Sequence, residues 1–144
     1  NQKFPFSNNQ IVNRFDNYSL ISMSIEEIAA AFVSHYYGTF DVNPQGLASL
    51  YQPQSVATWE GEKRQGPENI INKFISFGKV THNIPLLTKD VQLGATDNTL
   101  ILFVSGQLKI ESNPPLNFSQ VFQLVASGPG QYYVHNEIFR LSLA

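Results

Sequence analysis

The chain contains no cysteine among its 144 residues. That absence excludes a disulfide framework, a thiolate-ligated zinc site and thiol chemistry. Charged residues are also scarce, at 14% of the chain, whereas an average protein has about 25%. The formal net charge is -2, and the longest Lys/Arg cluster is Lys63-Arg64. Because nucleic-acid binding favours a basic surface, this composition argues against a nucleic-acid partner.

Long hydrophobic runs are absent as well. No apolar run reaches the roughly 18 residues that a membrane-spanning helix needs. No basic and then apolar segment opens the chain as in a signal peptide. We therefore expect a soluble intracellular protein with no membrane partner, long enough to form one domain with a buried core.

The hydrophobic pattern begins only at Met23. Residues 1–22 are rich in Asn and Ser and show no sustained period, which predicts a flexible N-terminal tail before a single domain at 23–144. Ser24 and Glu27 match the capping-box pattern of a helix start. Apolar residues then recur at helical spacing on one face, namely Ile25, Ile28, Ala29, Phe32, Tyr36 and Phe40.

The rest of the chain is predicted to be mostly strands. Short helices are expected at 47–51 and after Gly66-Pro67, with a short strand at 55–60 between them. Four longer strands follow, at 80–93, 99–111, 116–127 and 131–143. Helices followed by long antiparallel strands indicate an α+β fold.

The long strands carry apolar residues on both faces. In the strand at 99–111, Leu100 and Leu102 share one face, while Ile101 and Phe103 lie on the other; Val121 continues the second face in the next strand. We therefore expect a homodimer through the face that carries Ile101, Phe103 and Val121. Cover by the protein's own loops is the alternative.

The candidate site centres on the only tryptophan, Trp59, which Glu60 and Gly61 follow. The glycine predicts a strand end, where a turn brings Trp59 and Glu60 to the same side. Glu111 also stands at a predicted strand end. Two rim acids around an aromatic pocket suit a ligand with a hydrophobic anchor flanked by cations. A buried Trp59 with two solvated carboxylates is the alternative.

The three histidines, His35, His82 and His135, lie on three different elements and show no metal-ligand spacing. His82 with Asp90 or Glu60 is a candidate acid–base pair, but the spacing does not demand one. We expect no catalytic residue, no metal and no cofactor.

Several motifs occur in the order typical of one family. They are His35-Tyr36-Tyr37, Thr58-Trp59-Glu60-Gly61, Gln65-Gly66, Gly106-Gln107-Leu108-Lys109, the alternating Phe118, Gln120 and Phe122, and Asn136-Glu137-Ile138-Phe139-Arg140-Leu141. With these motifs, the chain from about residue 24 to 144 resembles the nuclear transport factor 2 family.

The resemblance implies a cone in which N-terminal helices pack on a strongly bent antiparallel sheet enclosing a hydrophobic cavity. It also implies a non-enzymatic homodimeric carrier, found in the nucleus and cytoplasm and enriched at nuclear pores. In that family the cavity takes a phenylalanine of the small GTPase Ran in its GDP form. The family also binds FxFG repeats of nucleoporins and so returns Ran to the nucleus.

The resemblance further implies roles for individual residues. Trp59 and Phe139 would line the cavity, and Glu60 and Glu111 would be rim acids. Asn113 stands where the family has a third acid. Ile25 stands where the family often presents a tryptophan to nucleoporin phenylalanines.

Two other functions use the same fold. A dehydratase or isomerase would need a histidine or acid deep in the cone. An adaptor would bind short FG-type motifs in RNA–protein assemblies. Fold alone does not separate these functions from a Ran carrier.

Overall fold

The computed structural model describes residues 23–142 of the chain. The predicted tail at 1–22 lies outside the described residues, so the domain boundary at residue 23 stays a prediction. The predicted α+β class is confirmed: helices pack on a curved, unclosed sheet. No helix within residues 23–142 has an apolar stretch long enough to cross a bilayer.

Two α-helices and seven strands form the fold. The helices are α1 (Ile25–Val42) and α2 (Pro67–Ile75), and 3₁₀ helices cover Pro44–Leu50 and Ile84–Leu86. The strands are β1 (Tyr51–Trp59), β2 (Glu62–Gln65), β3 (Val80–His82), β4 (Thr88–Leu93), β5 (Thr99–Ile110), β6 (Leu116–Gly128) and β7 (Gln131–Ser142).

Helix α1 begins at the predicted capping box. The Ser24 hydroxyl accepts a hydrogen bond from the Glu27 backbone N–H at 3.1 Å, and the Glu27 carboxylate accepts one from the Ser24 N–H at 3.2 Å. These bonds satisfy N–H groups that have no partner within the helix. The buried face of α1 carries the large rings of the core, including Phe32, Tyr36 and Phe40.

The sheet has the order β2-β1-β7-β6-β5-β3, and β4 also pairs with β5. Each pairing is antiparallel except β1 with β7, which is parallel. The sheet is therefore mixed, whereas the resemblance implied a wholly antiparallel one. A parallel pair cannot be joined by a tight hairpin, and all the other strands lie between β1 and β7 in the sequence.

Three local predictions were wrong in detail. The strand expected at 80–93 is interrupted by the 3₁₀ helix at Ile84–Leu86, where Pro85 cannot donate to a strand ladder. The helix expected at 47–51 is a 3₁₀ helix that begins earlier, at Pro44. The strand β2 was not predicted, because its residues are polar and exposed on both faces.

The two faces of the sheet differ in cover. Leu100, Leu102 and Val104 of β5 are buried against the helices. On the opposite face Ile101 and Phe103 are 39% and 43% exposed, and Ile138 of β7 is 50% exposed. The inner face thus forms the core, and the outer face of this single chain is open.

Candidate functional site

A small apolar pocket opens between the end of β1, the end of β7 and the α2–β3 connection. Its free space is about 20 Å³, room for about one water molecule. The residues that line it are Trp59, Glu60, Phe77, Val80, Leu108, Ile110, Phe139 and Leu141. Three of the predicted site residues, Trp59, Glu60 and Phe139, are thus brought together at one pocket.

The wall of the pocket is a stack of aromatic rings. Trp59 and Phe139 are register partners in the parallel β1–β7 pair. Their ring centroids are 3.9 Å apart with planes only 9° from parallel, and Trp59 is 3% exposed. Phe77 contacts Trp59, with its ring centroid 5.5 Å from that of the indole. The pocket therefore presents flat apolar surface, which suits an apolar or aromatic side chain.

Glu60 lies at the mouth because the backbone turns there. Strand β1 ends at Trp59, and Glu60 adopts φ of 53°, a left-handed conformation that side chains other than glycine rarely adopt. The turn places Glu60 beside Trp59 on the pocket instead of on the opposite face of the strand. Its carboxylate accepts a hydrogen bond from the Leu141 backbone N–H at 2.6 Å.

Glu111 has the same unusual backbone at the end of β5. Its φ is 54°, and Glu60 and Glu111 are the only non-glycine residues with positive φ among residues 23–142. Glu111 is exposed and follows Ile110, which lines the pocket. Its carboxylate packs against Gly78, where an added Cβ would lie 2.5 Å from Glu111 Oε1.

The two predicted rim acids have no positively charged partner among residues 23–142. Neither Glu60 nor Glu111 forms an ion pair there, whereas Glu62 pairs with Lys73 and Arg64. Asn113 is exposed in the turn after β5, and its backbone N–H donates to the Ile110 carbonyl at 3.1 Å. Glu111 and Asn113 do not line the pocket itself.

Ile25, the predicted repeat-binding residue, is apart from this pocket. It is the first residue of α1 and is half-buried against the core. The structure does not bring Ile25 together with the other predicted site residues.

A buried acid behind the pocket was missed by sequence reasoning. Glu137 is 1% exposed, and its carboxylate accepts hydrogen bonds from four side chains. The donors are Trp59 Nε1 at 2.8 Å, Tyr36 Oη at 2.7 Å, Gln120 Nε2 at 2.6 Å and Tyr51 Oη at 2.5 Å. The available signal was strand parity, because Glu137 shares the inward face of β7 with Phe139.

Burial controls the ionisation of this cluster. Desolvation raises the pKa of Glu137 above its ordinary value, although the hydrogen bonds from Tyr51, Tyr36, Trp59 and Gln120 act in the opposite direction. Burial also raises the pKa of Tyr36 and Tyr51 well above the usual range, and the nearby Glu137 carboxylate adds to that effect. Both tyrosines therefore remain protonated donors at neutral pH.

The candidate acid–base pair of His82 with Asp90 or Glu60 was wrong. His82 Nδ1 lies 2.6 Å from Asp41 Oδ1, and the His82 backbone N–H donates to Asp41 Oδ2 at 2.8 Å. Asp41 is near the end of α1, so this contact ties α1 to β3. The sequence missed it because 41 positions separate the two residues. Residues 23–142 contain no cluster of three His, Cys, Asp or Glu that could hold a metal ion.

A larger depression lies at the β3–β5 edge. Its volume is about 250 Å³, and the residues that line it are Thr81, His82, Asn83, Gln107, Leu108, Lys109 and Pro115. His82 of the candidate acid–base pair thus lines this depression, whereas none of the predicted pocket, rim and repeat-binding residues does, namely Ile25, Trp59, Glu60, Glu111, Asn113 and Phe139. The smaller aromatic pocket is therefore the candidate site.

Comparison with known proteins agrees with this arrangement. Residues 28–141 match the Nuclear transport factor 2 (NTF2) domain. The chain is 42% identical to nuclear transport factor 2B of Arabidopsis thaliana over 125 residues, which are 85% of this chain and 98% of the relative. It is 42% identical to nuclear transport factor 2 of Oryza sativa subsp. japonica over 123 residues, 83% of this chain and 98% of that relative.

Solved structures give the same result. The structure of nuclear transport factor 2 from Cryptosporidium parvum has a TM-score of 0.75 at 40% identity and covers 85% of this chain and 98% of its own. The Mtr2–Mex67 M domain complex of C. albicans has a TM-score of 0.69 at 16% identity, covering 81% of this chain and 94% of its own, and shares the fold alone. The family match over most of the chain, together with these identities, shows that the chain belongs to the nuclear transport factor 2 family.

Proposed function

We propose that this protein is a non-enzymatic carrier in nuclear transport that binds the small GTPase Ran in its GDP form at the aromatic pocket. The observation that carries the proposal is the placement of Trp59, Phe139 and Glu60 at one pocket mouth, in a chain of the nuclear transport factor 2 family. A phenylalanine of Ran would enter the pocket, and cations beside it would pair with the rim acids.

The rim chemistry supports a basic partner. Glu60 and Glu111 are exposed and form no ion pair with residues 23–142, so both charges are available to a partner. Unpaired rim charges of one sign steer an oppositely charged surface and raise the association rate. With Asn113 in place of a third acid, we expect a weaker and less salt-sensitive contact than three acids would give.

The pocket must widen to accept the phenylalanine ring of a partner. Free space of about 20 Å³ is too small for a phenylalanine side chain. Most lining residues are on strands, whereas Phe77 lies on the connection between α2 and β3 and is half-buried. Phe77 is next to Gly78, whose φ of 76° is easily accommodated by glycine. Movement of Phe77 is therefore the least costly way to open the pocket.

The other partners in the proposal are nucleoporins. FxFG repeats would dock near the start of α1, at Ile25. Because Ile25 is half-buried and has no ring to stack, we expect repeat binding there to be weak. A carrier with both activities would shuttle between nucleus and cytoplasm and concentrate at nuclear pores.

We also propose that the protein is a homodimer. Three exposed apolar side chains of the outer sheet face lie on the two strands that pair with β6: Ile101 and Phe103 on β5, and Ile138 on β7. A patch of this kind on an open sheet face supports a self-complementary contact between two copies.

The buried polar groups argue against an enzyme on this fold. Glu137 already accepts four hydrogen bonds and does not line the aromatic pocket, and His82 lines the larger depression at the β3–β5 edge instead. A general base has to reach the proton that it abstracts. The Glu137 carboxylate is instead engaged with protein donors, and His82 Nδ1 with Asp41, while His82 Nε2 has no hydrogen-bond partner among residues 23–142.

The proposal is tested by titrating the full chain with Ran loaded with GDP or with a non-hydrolysable GTP analogue. We expect binding to the GDP form only, and its loss when the inserted phenylalanine of Ran is replaced by alanine. Equal binding to both nucleotide forms, or no binding to either, would overturn the proposal.

A further inference from the structure

We propose that Glu137 is a positioning residue, which fixes the orientation of the Trp59 indole in the pocket wall through its hydrogen bond to Nε1. The inference rests on the proposed function, because it concerns how the same pocket receives an aromatic side chain. Glu137 itself does not touch the pocket.

Trp59 is the only one of the four donors to Glu137 that lines the pocket. Tyr36, Tyr51 and Gln120 lie in the core behind it. A change at the carboxylate can therefore reach the pocket surface by one hydrogen bond, the 2.8 Å contact from Trp59 Nε1 to Glu137 Oε2.

The two rings that stack on the indole do not by themselves fix its rotation within its own plane. Phe139 and Phe40 lie nearly parallel to the indole, with planes 9° and 13° away from it. Stacked rings fix the plane of the indole but tolerate its rotation or sliding within that plane, because dispersion contacts have little directionality. A hydrogen bond is directional. The Nε1–H bond to Glu137 therefore selects which edge of the indole meets the pocket.

The presence of an acid at position 137 bears on its role, because burial of a carboxyl group costs free energy. A fully buried carboxyl group needs hydrogen-bond partners to offset its desolvation. No Lys, Arg or His of residues 23–142 forms an ion pair with Glu137. Its carboxylate oxygens are satisfied by side-chain donors alone, and those donors would lose their acceptor with an apolar residue at 137. The hydrogen bond thus fixes the Trp59 part of the wall before a side chain enters, so this part of the site is preorganised.

The first experiment compares Glu137→Gln and Glu137→Leu in the full chain. The amide oxygen of Gln can still accept the Trp59 N–H, whereas Leu cannot. Trp59 is the only tryptophan, so its indole N–H resonance and its fluorescence report on this one ring without any partner. We expect Gln to leave the indole resonance protected from hydrogen exchange, and Leu to expose it and lower the affinity for GDP-bound Ran about tenfold.

Two controls separate positioning from general structural support. Tyr51→Phe removes another hydrogen bond from the same carboxylate, and we expect it to lower stability without changing the indole signals or the affinity. In a Trp59→Phe background no N–H remains to be held, so Glu137→Leu should cost no further affinity. A similar loss in both backgrounds, or an equal loss from Tyr51→Phe, would overturn the inference.

The inference and the proposed function can fail separately. If the wild-type chain does not bind GDP-bound Ran, the proposed function fails. If the wild-type indole N–H exchanges freely with solvent, the anchoring by Glu137 fails, whichever partner the pocket takes. This second measurement also applies if Glu137→Leu does not fold.

Discussion

At the scale of single residues, the two glutamates predicted as rim acids have a backbone conformation that glutamate rarely adopts. Glu60 and Glu111 have φ of 53° and 54°, and a left-handed residue with a Cβ costs roughly 1–2 kcal/mol. Glu60 is stabilised by its hydrogen bond to the Leu141 N–H. Strain of this kind is typical of functional sites, where a residue is retained for the function of its side chain although its backbone conformation lowers stability.

Replacing Glu111 by glycine tests this interpretation. Glycine removes the strain of the left-handed backbone, which stabilises the fold, but it also gives the unfolded chain more conformational freedom. The net effect should be a rise of up to about 1 kcal/mol in the free energy of unfolding. The same change removes a rim charge and should weaken binding to GDP-bound Ran. Urea unfolding and calorimetric titration measure the two effects. Glu111→Gln is the control: it keeps the strain, so a stability gain in that variant would contradict the account.

The buried Glu137 predicts a pH dependence of stability. Its pKa is raised by burial, so the folded chain binds this proton more tightly than the unfolded chain does. The resulting stabilisation is complete below the unfolded pKa of about 4.3 and is lost as pH rises through the folded pKa. The wild type should therefore lose stability relative to Glu137→Gln as pH rises from 4 toward neutrality. Urea unfolding of both proteins across that range checks this, and a constant difference would refute it.

At the scale of elements, the pocket combines strands with one short connection. Trp59 and Phe139 are held in register by the β1–β7 pair, while Phe77 lies between α2 and β3. The Lys73 ammonium lies 5.2 Å from the Phe77 ring centroid and also pairs with Glu62. The strands therefore give a fixed wall, and the connection is the part that can yield to an entering side chain.

Truncation of Phe77 tests which wall moves. Because Phe77 is half-buried, we expect Phe77→Ala to lower the free energy of unfolding by about 2 kcal/mol, less than a fully buried phenylalanine costs. The wider pocket should raise the association rate with GDP-bound Ran in stopped-flow measurements. The control is Ile75→Ala, on the adjoining end of α2 but outside the pocket. Loss of binding in Phe77→Ala but not in Ile75→Ala would show that the Phe77 side chain is needed for binding and does not merely move aside.

Sequence pattern predicted most of the elements, for physical reasons that particular residues make clear. The capping box at Ser24 and the alternation in β5 depend on local hydrogen bonds and on a two-residue period, so both are visible in sequence. The parallel pairing of β1 with β7 and the contact of Asp41 with His82 depend on residues far apart in the chain. No local pattern encodes such contacts.

The candidate site was predictable to a similar degree. Trp59 and Glu60 were found because glycine follows them at a strand end, and the structure places both on one pocket. Glu137 was named only as part of the motif at 136–141, and no role was predicted for it. Its burial depends on donors from α1, β1 and β6, which only the tertiary fold brings together.

At the scale of the whole molecule, the open outer face of the sheet is the main unsatisfied surface. Register aligns Phe103, Val121 and Ile138 in one row across β5, β6 and β7. Phe103 and Ile138 are exposed in the single chain. Two copies paired through this row would bury both side chains, as the sequence pattern predicted for Ile101, Phe103 and Val121.

A charge in this row should separate the copies. We expect the wild type to sediment as a dimer at micromolar concentration and Phe103→Glu to sediment as a folded monomer, because the substitution would bury unpaired carboxylates at the interface. Asn72→Glu, at an exposed position of helix α2, adds the same charge away from the outer sheet face; it is the control and should leave the dimer intact. A monomeric wild type would remove the basis for the dimer proposal.

Reversing the charge of Glu60 shows whether the mouth of the Trp59 pocket receives Ran. We expect Glu60→Lys to lower the affinity for GDP-bound Ran at least about tenfold. Loss of its hydrogen bond to Leu141 should lower the free energy of unfolding by only about 1 kcal/mol. Asp97→Lys, the same charge change in the turn at the opposite end of β5, should bind like the wild type. Equal affinity for Ran in Glu60→Lys and the wild type, measured by calorimetric titration, would contradict the account.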